Sequence, residues 1–261
     1  MDNVKFNTVI SSMKDIRVDR PNKASIGTLS GHAAGEPFEK TVYHKLKEIY
    51  PNNIFKQYEY LNDIYLRNPK HITVKQRYAL LESPTALYLL SRGDRATKEW
   101  SPNNIFEEKQ DDTADILFYR NGVYDIIDVK TRNKNKSAMP PNIISAYKLA
   151  KACALMIDNK EYETINIDYI EIDWVEDRDS LVCVNAHHGD LFKANPEKLY
   201  INWAAAMQIQ FHVCDLDQSW NGNKEDWAKH YLKVFVASAE HRCQKMRETY
   251  IIPFLKYIDD K

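Results

Sequence analysis

Two acidic residues and one lysine stand at a spacing in this sequence that suits catalysis. Asp115 opens the segment 115–119, whereas Asp128 and Lys130 close the segment 123–130. Both segments read as β-strands, and residues 120–122 (Arg-Asn-Gly) read as a tight turn between them. Side chains two positions apart on a strand share one face, and a hairpin returns Asp115 to the same edge. We therefore expect two carboxylates and one ammonium group to converge.

Such a group suits magnesium-dependent hydrolysis of phosphodiester bonds. Mg²⁺ prefers hard oxygen ligands, keeps several waters and completes its shell from phosphate. The metal stabilises the charge that develops on the phosphate and lowers the pKa of a bound water. We take Asp115, Asp128 and Lys130 as candidate catalytic residues, with Lys130 orienting the water or neutralising the phosphate. The carboxylates of Asp115 and Asp128 and the backbone carbonyl of Val129 are the candidate Mg²⁺ ligands.

The spacing alone is weak evidence, because a pattern D…D-x-K occurs by chance and also describes a solvated strand end with exposed ion pairs. Its surroundings strengthen it. Asp128 interrupts an apolar strand, where a buried charge needs a partner. A basic run, residues 130–136 (Lys-Thr-Arg-Asn-Lys-Asn-Lys), follows at once and suits phosphate binding. An exposed loop kept soluble by its charge explains the same run equally well.

Composition sets only broad limits on function. The 261 residues include 44% hydrophobic and 28% charged residues, ordinary for a soluble globular protein. A formal net charge of -1 argues weakly against a non-specific DNA coat, but little against a nuclease whose acids offset its basic residues locally. The sequence has no apolar run of membrane-spanning length and no secretory signal, so we expect a cytoplasmic protein without membrane association. The four cysteines read as buried free thiols.

The pattern of elements indicates one α/β domain over residues 1–261, with a central mixed β-sheet flanked by helices. A helix should open at Gly35-Glu36-Pro37 and end at Pro51. Asn223 should cap a long C-terminal helix with Glu225 and Asp226 in its first turn. We further predict short helices across 74–90, a helix over 143–157, and strands over 165–174 and 181–185.

Two other patterns are weaker. Gly27, Gly31 and Gly35 surround His32 and suggest close approach of backbone to phosphate, but the G-K-[ST] of a P-loop is missing. The pair His187-His188 reads as part of a loop rather than as a metal site, since no further ligand stands at a telling spacing.

Several long strings resemble the HincII-type restriction endonucleases of the PD-(D/E)xK nuclease superfamily. They are IGTLSGHAAGEPFEK, FKQYEYLND, DTADIL, DVKTRN, PNIISAYKLA, MIDNKE, LYINWAAAMQIQFHV and NGNKEDWAKHYLK. The resemblance covers nearly the whole chain and implies a restriction-endonuclease-like fold, a homodimer on double-stranded DNA, Mg²⁺ dependence and blunt cleavage in the middle of GTYRAC, where Y is a pyrimidine and R a purine. It also implies a cognate DNA methyltransferase in the same cell.

The resemblance also assigns residues. It implies catalytic roles for Asp115, Asp128 and Lys130, with Ala114 in place of the superfamily's usual proline, as in the HincII branch. It implies DNA contacts at Gln110, Ala138, Met139, Asn142, Tyr200, Asn202 and His32. Asn amides suit the reading of base edges. Without the resemblance, Asn142 reads as a helix cap, Tyr200 as a core aromatic and Gln110 as a surface polar group.

The sequence departs from this family at two places near the expected DNA. Met139-Pro140 stands where the family has Gln-Ala, whose glutamine inserts into the base stack. Methionine can act as an apolar wedge between bases but lacks the hydrogen bonds of the amide. Asp94 stands where the family has a lysine near the DNA backbone. We expect cleavage to survive, and discrimination at the central step and salt dependence to change.

Three alternatives stay open at this point. A repair or junction-resolving nuclease of the same superfamily would cut by DNA structure and give no sequence-defined fragments. A DNA-binding module that has lost cleavage has no need of Asp115, Asp128 and Lys130 together. A small-molecule α/β enzyme should show a glycine-rich cofactor loop or a nucleophile motif, and the sequence has neither.

Overall fold

The computed structural model describes residues 3–21, 31–57, 59–60, 63, 70–90, 114–137 and 139–258. Gln110, Ala138, Asp94 and the side chain of His32 lie outside this part. The helices are α1 (Asn3–Ser11), α2 (Gly31–Ile49), α3 (Val74–Leu81), α4 (Pro84–Leu90), α5 (Ala146–Asn159), α6 (Lys224–Met246) and α7 (Ile252–Leu255). The strands are β1 (Arg17–Asp19), β2 (Ile54–Lys56), β3 (Ile116–Arg120), β4 (Val123–Asn133), β5 (Asn142–Ser145), β6 (Ile165–Asp177), β7 (Ser180–Asp190), β8 (Tyr200–Asn202) and β9 (Gln208–Gln210).

A six-stranded sheet with the order β1-β7-β6-β4-β3-β2 forms the centre of the fold. The pair β4–β6 is parallel, with α5 in the connection between them, and the other neighbours are antiparallel. Helices α1 and α2 cover one apolar cluster, which includes Phe38 and Val42, whereas α5 and α6 cover a second cluster with Cys153 and Trp227. The predicted α/β class with a mixed sheet flanked by helices is confirmed.

The hairpin β3–β4 folds as the sequence predicts and then continues further. Asn121 (φ 53°) and Gly122 (φ 84°) form its turn, and both adopt the positive φ that a type I′ turn requires. Strand β4 continues past Lys130 to Asn133, because its last residues pair with β6 up to Trp174. The basic run therefore begins inside the sheet, and the alternative interpretation as an exposed loop does not hold for its first residues.

The region after this hairpin differs from the sequence prediction. Residues 142–145 form β5, and the helix begins only at Ala146, where the Ser145 hydroxyl accepts a hydrogen bond from Lys148 N at 3.4 Å. Asn142 is therefore a strand residue and not a helix cap. Strand β5 pairs with β9, and β9 with β8, in a separate three-stranded sheet. The local sequence did not indicate this sheet, since two of its strands have only three residues each.

Other predictions have mixed outcomes. Helix α2 begins at Gly31 rather than Gly35, with Pro37 inside it. Asn223 caps α6 and its side chain accepts from Asp226 N at 2.8 Å, as predicted. All four cysteines are free, but only two of them are buried. The pair His187-His188 lies in β7 and not in a loop. Among the described helices, none is long and apolar enough to cross a membrane.

Candidate active site

The structure brings Asp115, Asp128 and Lys130 together at one edge of the central sheet. Asp115 directly precedes β3, and its backbone N–H donates to the Ile127 carbonyl at 3.0 Å. Its carboxylate oxygen Oδ2 accepts from the backbone N–H of Val129 at 2.7 Å. On the neighbouring strand, Lys130 Nζ lies 2.8 Å from Asp128 Oδ2. The predicted convergence of two carboxylates and an ammonium group is thus present in the fold.

The backbone carbonyl of Val129 is directed to the same place. Pairing between β3 and β4 ends at Ile116 and Ile127, so no residue of β3 pairs with Val129. The N–H of Val129 points to that edge, because it donates to Asp115. In a strand the N–H and C=O of one residue point to the same side. The Val129 carbonyl therefore points past the start of β3, toward Asp115, and away from the β4–β6 ladder.

Helix α2 adds a third carboxylate, Glu39, which the sequence analysis missed. Burial raises the pKa of Asp115 well above its usual range, and the nearby charges of Asp128 and Glu39 raise it further. Burial also raises the pKa of Glu39, and Lys56 only partly offsets this. A signal was present in the sequence: Glu39 stands between the fully buried Phe38 and Val42, so a charge lies beside the apolar face of a helix.

Lys130 keeps its proton in this group. Burial on its own would lower the pKa of the ammonium group, but the charge and hydrogen bond of Asp128, with Asp115 and Glu39 behind it, raise the pKa overall. A lysine whose pKa is raised is a poor general base at neutral pH. The geometry instead favours a permanent positive charge, held in place by Asp128, that orients a water molecule or a phosphate oxygen.

The donor set fits a divalent metal ion. Asp115 and Asp128 offer carboxylate oxygens and Val129 a carbonyl oxygen, which are the hard ligands that Mg²⁺ and similar ions prefer. Burial is the largest cause of the raised pKa of Asp115, and the nearby carboxylates of Asp128 and Glu39 raise it further, so the ionised form of Asp115 lacks a compensating positive charge. A bound cation would supply that positive charge and favour the ionised carboxylates.

Three of the residues expected at the DNA lie on the small sheet β5-β9-β8. Asn142 and Tyr200 both pair with Gln210 in register, and Asn202 pairs with Gln208. Tyr200 is 61% exposed, so it is not a core aromatic, and Asn142 is exposed as well. Met139, in the segment leading to β5, is 76% exposed. The fold therefore presents these side chains together on the surface.

Gln210 connects the two asparagines and was not recognised in the sequence. Its Nε2 donates to Asn142 Oδ1 at 2.8 Å, and its Oε1 accepts from Asn202 Nδ2 at 2.9 Å. We call Asn142, Gln210 and Asn202 the amide row. No local pattern predicts it, because 68 positions separate Asn142 from Gln210.

A buried glutamate ties the small sheet to the catalytic strand. Glu171 of β6 is the register partner of Lys130 and is fully buried. Its carboxylate accepts from His212 Nδ1 at 2.6 Å and from the Val213 N–H at 2.7 Å. Both donors follow the end of β9 within three residues, so this contact holds the small sheet near the strand of Lys130.

The basic run after Lys130 is only partly available to phosphate. Arg132 donates from Nε to Asp173 Oδ1 at 2.7 Å and from its terminal nitrogen to Oδ2 at 2.9 Å. His187 Nε2 lies 3.1 Å from the same carboxylate. Burial raises the pKa of Asp173, but Arg132 and His187 outweigh this and lower it overall. Lys134 and Lys136 are the exposed lysines of the run, and Lys134 Nζ also lies 3.7 Å from Asp173 Oδ2.

Comparisons with known proteins identify the family. The family model described as restriction endonuclease HincII matches residues 9–258. The type II restriction enzymes HindII and HincII of Haemophilus influenzae are each 58% identical over 253 residues, which is 97% of this chain and 96% of theirs. The chain therefore belongs to the HincII family of restriction endonucleases.

Family membership assigns the chain to a known class of enzyme. The family acts on double-stranded DNA and uses a divalent metal ion, and the alternative of a small-molecule enzyme is excluded. Among solved structures, the NlaIV restriction endonuclease aligns with 96% of this chain and 91% of its own, at a TM-score of 0.38 and 9% identity. That similarity is too low to support further argument.

Proposed function

We propose that this site-specific endonuclease cuts both strands of DNA at the centre of GTYRAC, as a Mg²⁺-dependent homodimer whose catalytic residues are Asp115, Asp128 and Lys130. The observation that carries the proposal is the convergence of Asp115 Oδ2, Asp128 Oδ2 and Lys130 Nζ around the Val129 backbone. We further propose that the whole chain acts as one nuclease domain in the cytoplasm.

In this proposal the residues at the sheet edge have different roles in binding the metal ion and in catalysis. Asp115, Asp128 and the Val129 carbonyl would hold Mg²⁺, which when bound supplies charge stabilisation at the phosphate and a water of lowered pKa. The Asp128 carboxylate holds Lys130 Nζ at 2.8 Å. Lys130 donates to the attacking water or to a phosphate oxygen, while Glu39 strengthens the negative potential that attracts the metal ion.

The small sheet would read the bases. Asn142, Tyr200 and Asn202 present polar groups on one surface, which suits hydrogen bonds to base edges. The exposed Met139 would contact the central pyrimidine–purine step, which is the step most easily unstacked in DNA. Gln110, Ala138 and His32 are further proposed DNA contacts by their place in the family motifs.

Two partners follow from this chemistry. A palindromic target suits a twofold homodimer, because each subunit then cuts one strand with the same surface. A cell that makes such an enzyme needs a cognate methyltransferase to protect its own copies of the site.

Digestion of a sequenced plasmid with Mg²⁺, followed by mapping of every end, tests the specificity. Blunt ends at GTYRAC support the proposal, discrete ends elsewhere contradict the stated sequence, and ends that follow DNA structure favour the junction-nuclease alternative. Lys130→Ala should slow cutting by about a hundredfold or more, while the matched variant Lys233→Ala, at an exposed position on α6, cuts normally. Folded wild-type protein that binds but never cuts would leave only the binding-module alternative.

A further inference from the structure

The amide row has a direction that its neighbours impose. The side chain of Asn202 faces the backbone N–H groups of Ala204 and Ala205, which donate to it at 3.0 and 3.2 Å. A backbone N–H can only donate, so the Asn202 atom that faces this turn must be the oxygen Oδ1. The orientation of this amide is thus fixed by chemistry and does not depend on choosing between two similar atoms.

The orientation of the Asn202 amide in turn determines the orientations of the Gln210 and Asn142 amides. With Oδ1 of Asn202 directed at the turn, its Nδ2 faces Gln210, and the Gln210 atom that receives this donor must be Oε1. Gln210 then presents Nε2 to Asn142, whose facing atom must be Oδ1. Consequently the NH₂ group of Asn142 is the one left to point away from the row. Two backbone N–H groups in the β8–β9 turn therefore set the polarity of an amide two strands away.

We propose that Gln210 is a positioning residue for base recognition, which sets the amide of Asn142 so that it offers an NH₂ donor to the DNA. The inference rests on the proposed function, since it assumes that the small sheet faces the bases. An NH₂ donor selects a hydrogen-bond acceptor on the base edge, such as N7 or O6 of a purine in the major groove. Without Gln210 the Asn142 amide can rotate and offer either its oxygen or its nitrogen.

The position of Gln210 agrees with this role better than with a role in stability. Its side chain is only half-buried, and it lies at the end of a strand of three residues. Both of its amide atoms are used along the row, toward Asn142 and Asn202. Removal of a half-exposed amide changes stability little, so we expect the effect to appear in recognition.

Two substitutions of Gln210 distinguish the direction of its hydrogen bonds from their mere existence. Gln210→Leu removes both hydrogen bonds and should relax the preference at one base pair of the site. Gln210→Glu keeps an acceptor toward Asn202 but has no donor for Asn142. The Asn142 amide then turns its NH₂ toward the carboxylate and its oxygen outward, so this variant should prefer a different base. Gln208→Leu is the matched control, on the same strand and also half-buried.

The measurement is kcat/KM for the cognate duplex against duplexes with one base pair changed, with Tm as a check of folding. We expect the ratio to fall about tenfold in Gln210→Leu, within the range of one good side-chain–base contact. Asn142→Ala combined with Gln210→Leu should lose no more discrimination than Asn142→Ala alone. The control Gln208→Leu should keep the wild-type ratio.

The outcomes distinguish this inference from the proposed function. A wild-type protein without sequence-specific cleavage overturns both. If wild-type cuts specifically while Gln210→Leu and Gln210→Glu keep its full discrimination, only the role of Gln210 is wrong. An equal loss in Gln208→Leu assigns the effect to the strand surface as a whole and contradicts the amide row as its cause.

Discussion

At the scale of single residues, Asp115 combines function with a cost in stability. Burial, Asp128 and Glu39 raise its pKa, so the folded protein holds a proton at Asp115 more tightly than the unfolded chain does. For a carboxyl group with a raised pKa, stability is lost as pH rises from the unfolded value near 4 through the folded one. Ionisation of Asp115 therefore destabilises the metal-free protein as the pH rises.

The substitution Asp115→Asn should stabilise the metal-free protein while it abolishes cleavage. Removal of this ionisable group should raise the free energy of unfolding at pH 7, because burial and the charges of Asp128 and Glu39 penalise its ionised form in the folded protein. Urea denaturation in EDTA between pH 5 and 8 measures it, and the gain should grow with pH. The control Asp177→Asn, at an exposed ion pair with Arg17, should change little. A destabilised Asp115→Asn would contradict the electrostatic account.

Glu39, on helix α2, also raises the pKa of Asp115. Glu39→Gln should slow cleavage about tenfold to a hundredfold, the usual range for a group that supports metal ligands. It should also shift the acid limb of the pH–rate profile to lower pH, because the loss of one negative charge lowers the pKa of Asp115. Glu48→Gln, at an exposed position near the end of α2, is the control. An unchanged rate and profile in Glu39→Gln would remove Glu39 from the site.

At the scale of elements, the sequence predicted the features that depend on residues close together in the chain. The turn at Asn121-Gly122 and the strands around Asp115 and Asp128 depend on alternation and turn chemistry, so the hairpin and its convergent charges were predictable. The bonds between Glu171 and His212 span 41 positions, and their partners meet only after the sheets have assembled. For the same reason, Gln210 and the second sheet were missed, whereas Glu39 was overlooked although its place between the apolar Phe38 and Val42 was visible in the sequence.

The contact between β6 and the end of β9 should be a structural requirement. Glu171→Leu leaves the buried Val213 N–H and His212 Nδ1 without their acceptor and should lower the free energy of unfolding by about 2–4 kcal/mol. Glu171→Gln keeps one acceptor oxygen and should cost less. Urea denaturation compares both with Glu176→Gln, at a partly exposed ion pair. Wild-type stability in Glu171→Leu would show that the two sheets do not depend on this contact.

At the scale of the whole molecule, the proposed homodimer needs an apolar surface, and the C-terminal segment offers one. Tyr250, Phe254, Tyr257 and Ile258 are 65%, 57%, 73% and 70% exposed. Such a cluster at a surface commonly marks a protein–protein contact. Phe254→Lys combined with Ile258→Lys should shift sedimentation velocity from dimer to monomer. The pair Lys233→Ala and Lys245→Ala on α6 should not. A dimer that survives both lysines would place the interface elsewhere.

The central claim is that the edge formed by Asp115, Asp128 and Lys130 hydrolyses DNA with Mg²⁺ at one defined sequence. Single-turnover cleavage of a GTYRAC duplex, with each strand labelled separately, tests it most directly. The account predicts that both strands are cut at the centre only with Mg²⁺, and that Lys130→Ala is slower by about a hundredfold or more, in the range of a lost catalytic group. Wild-type rates in Lys130→Ala, or unchanged cutting in EDTA, would contradict it.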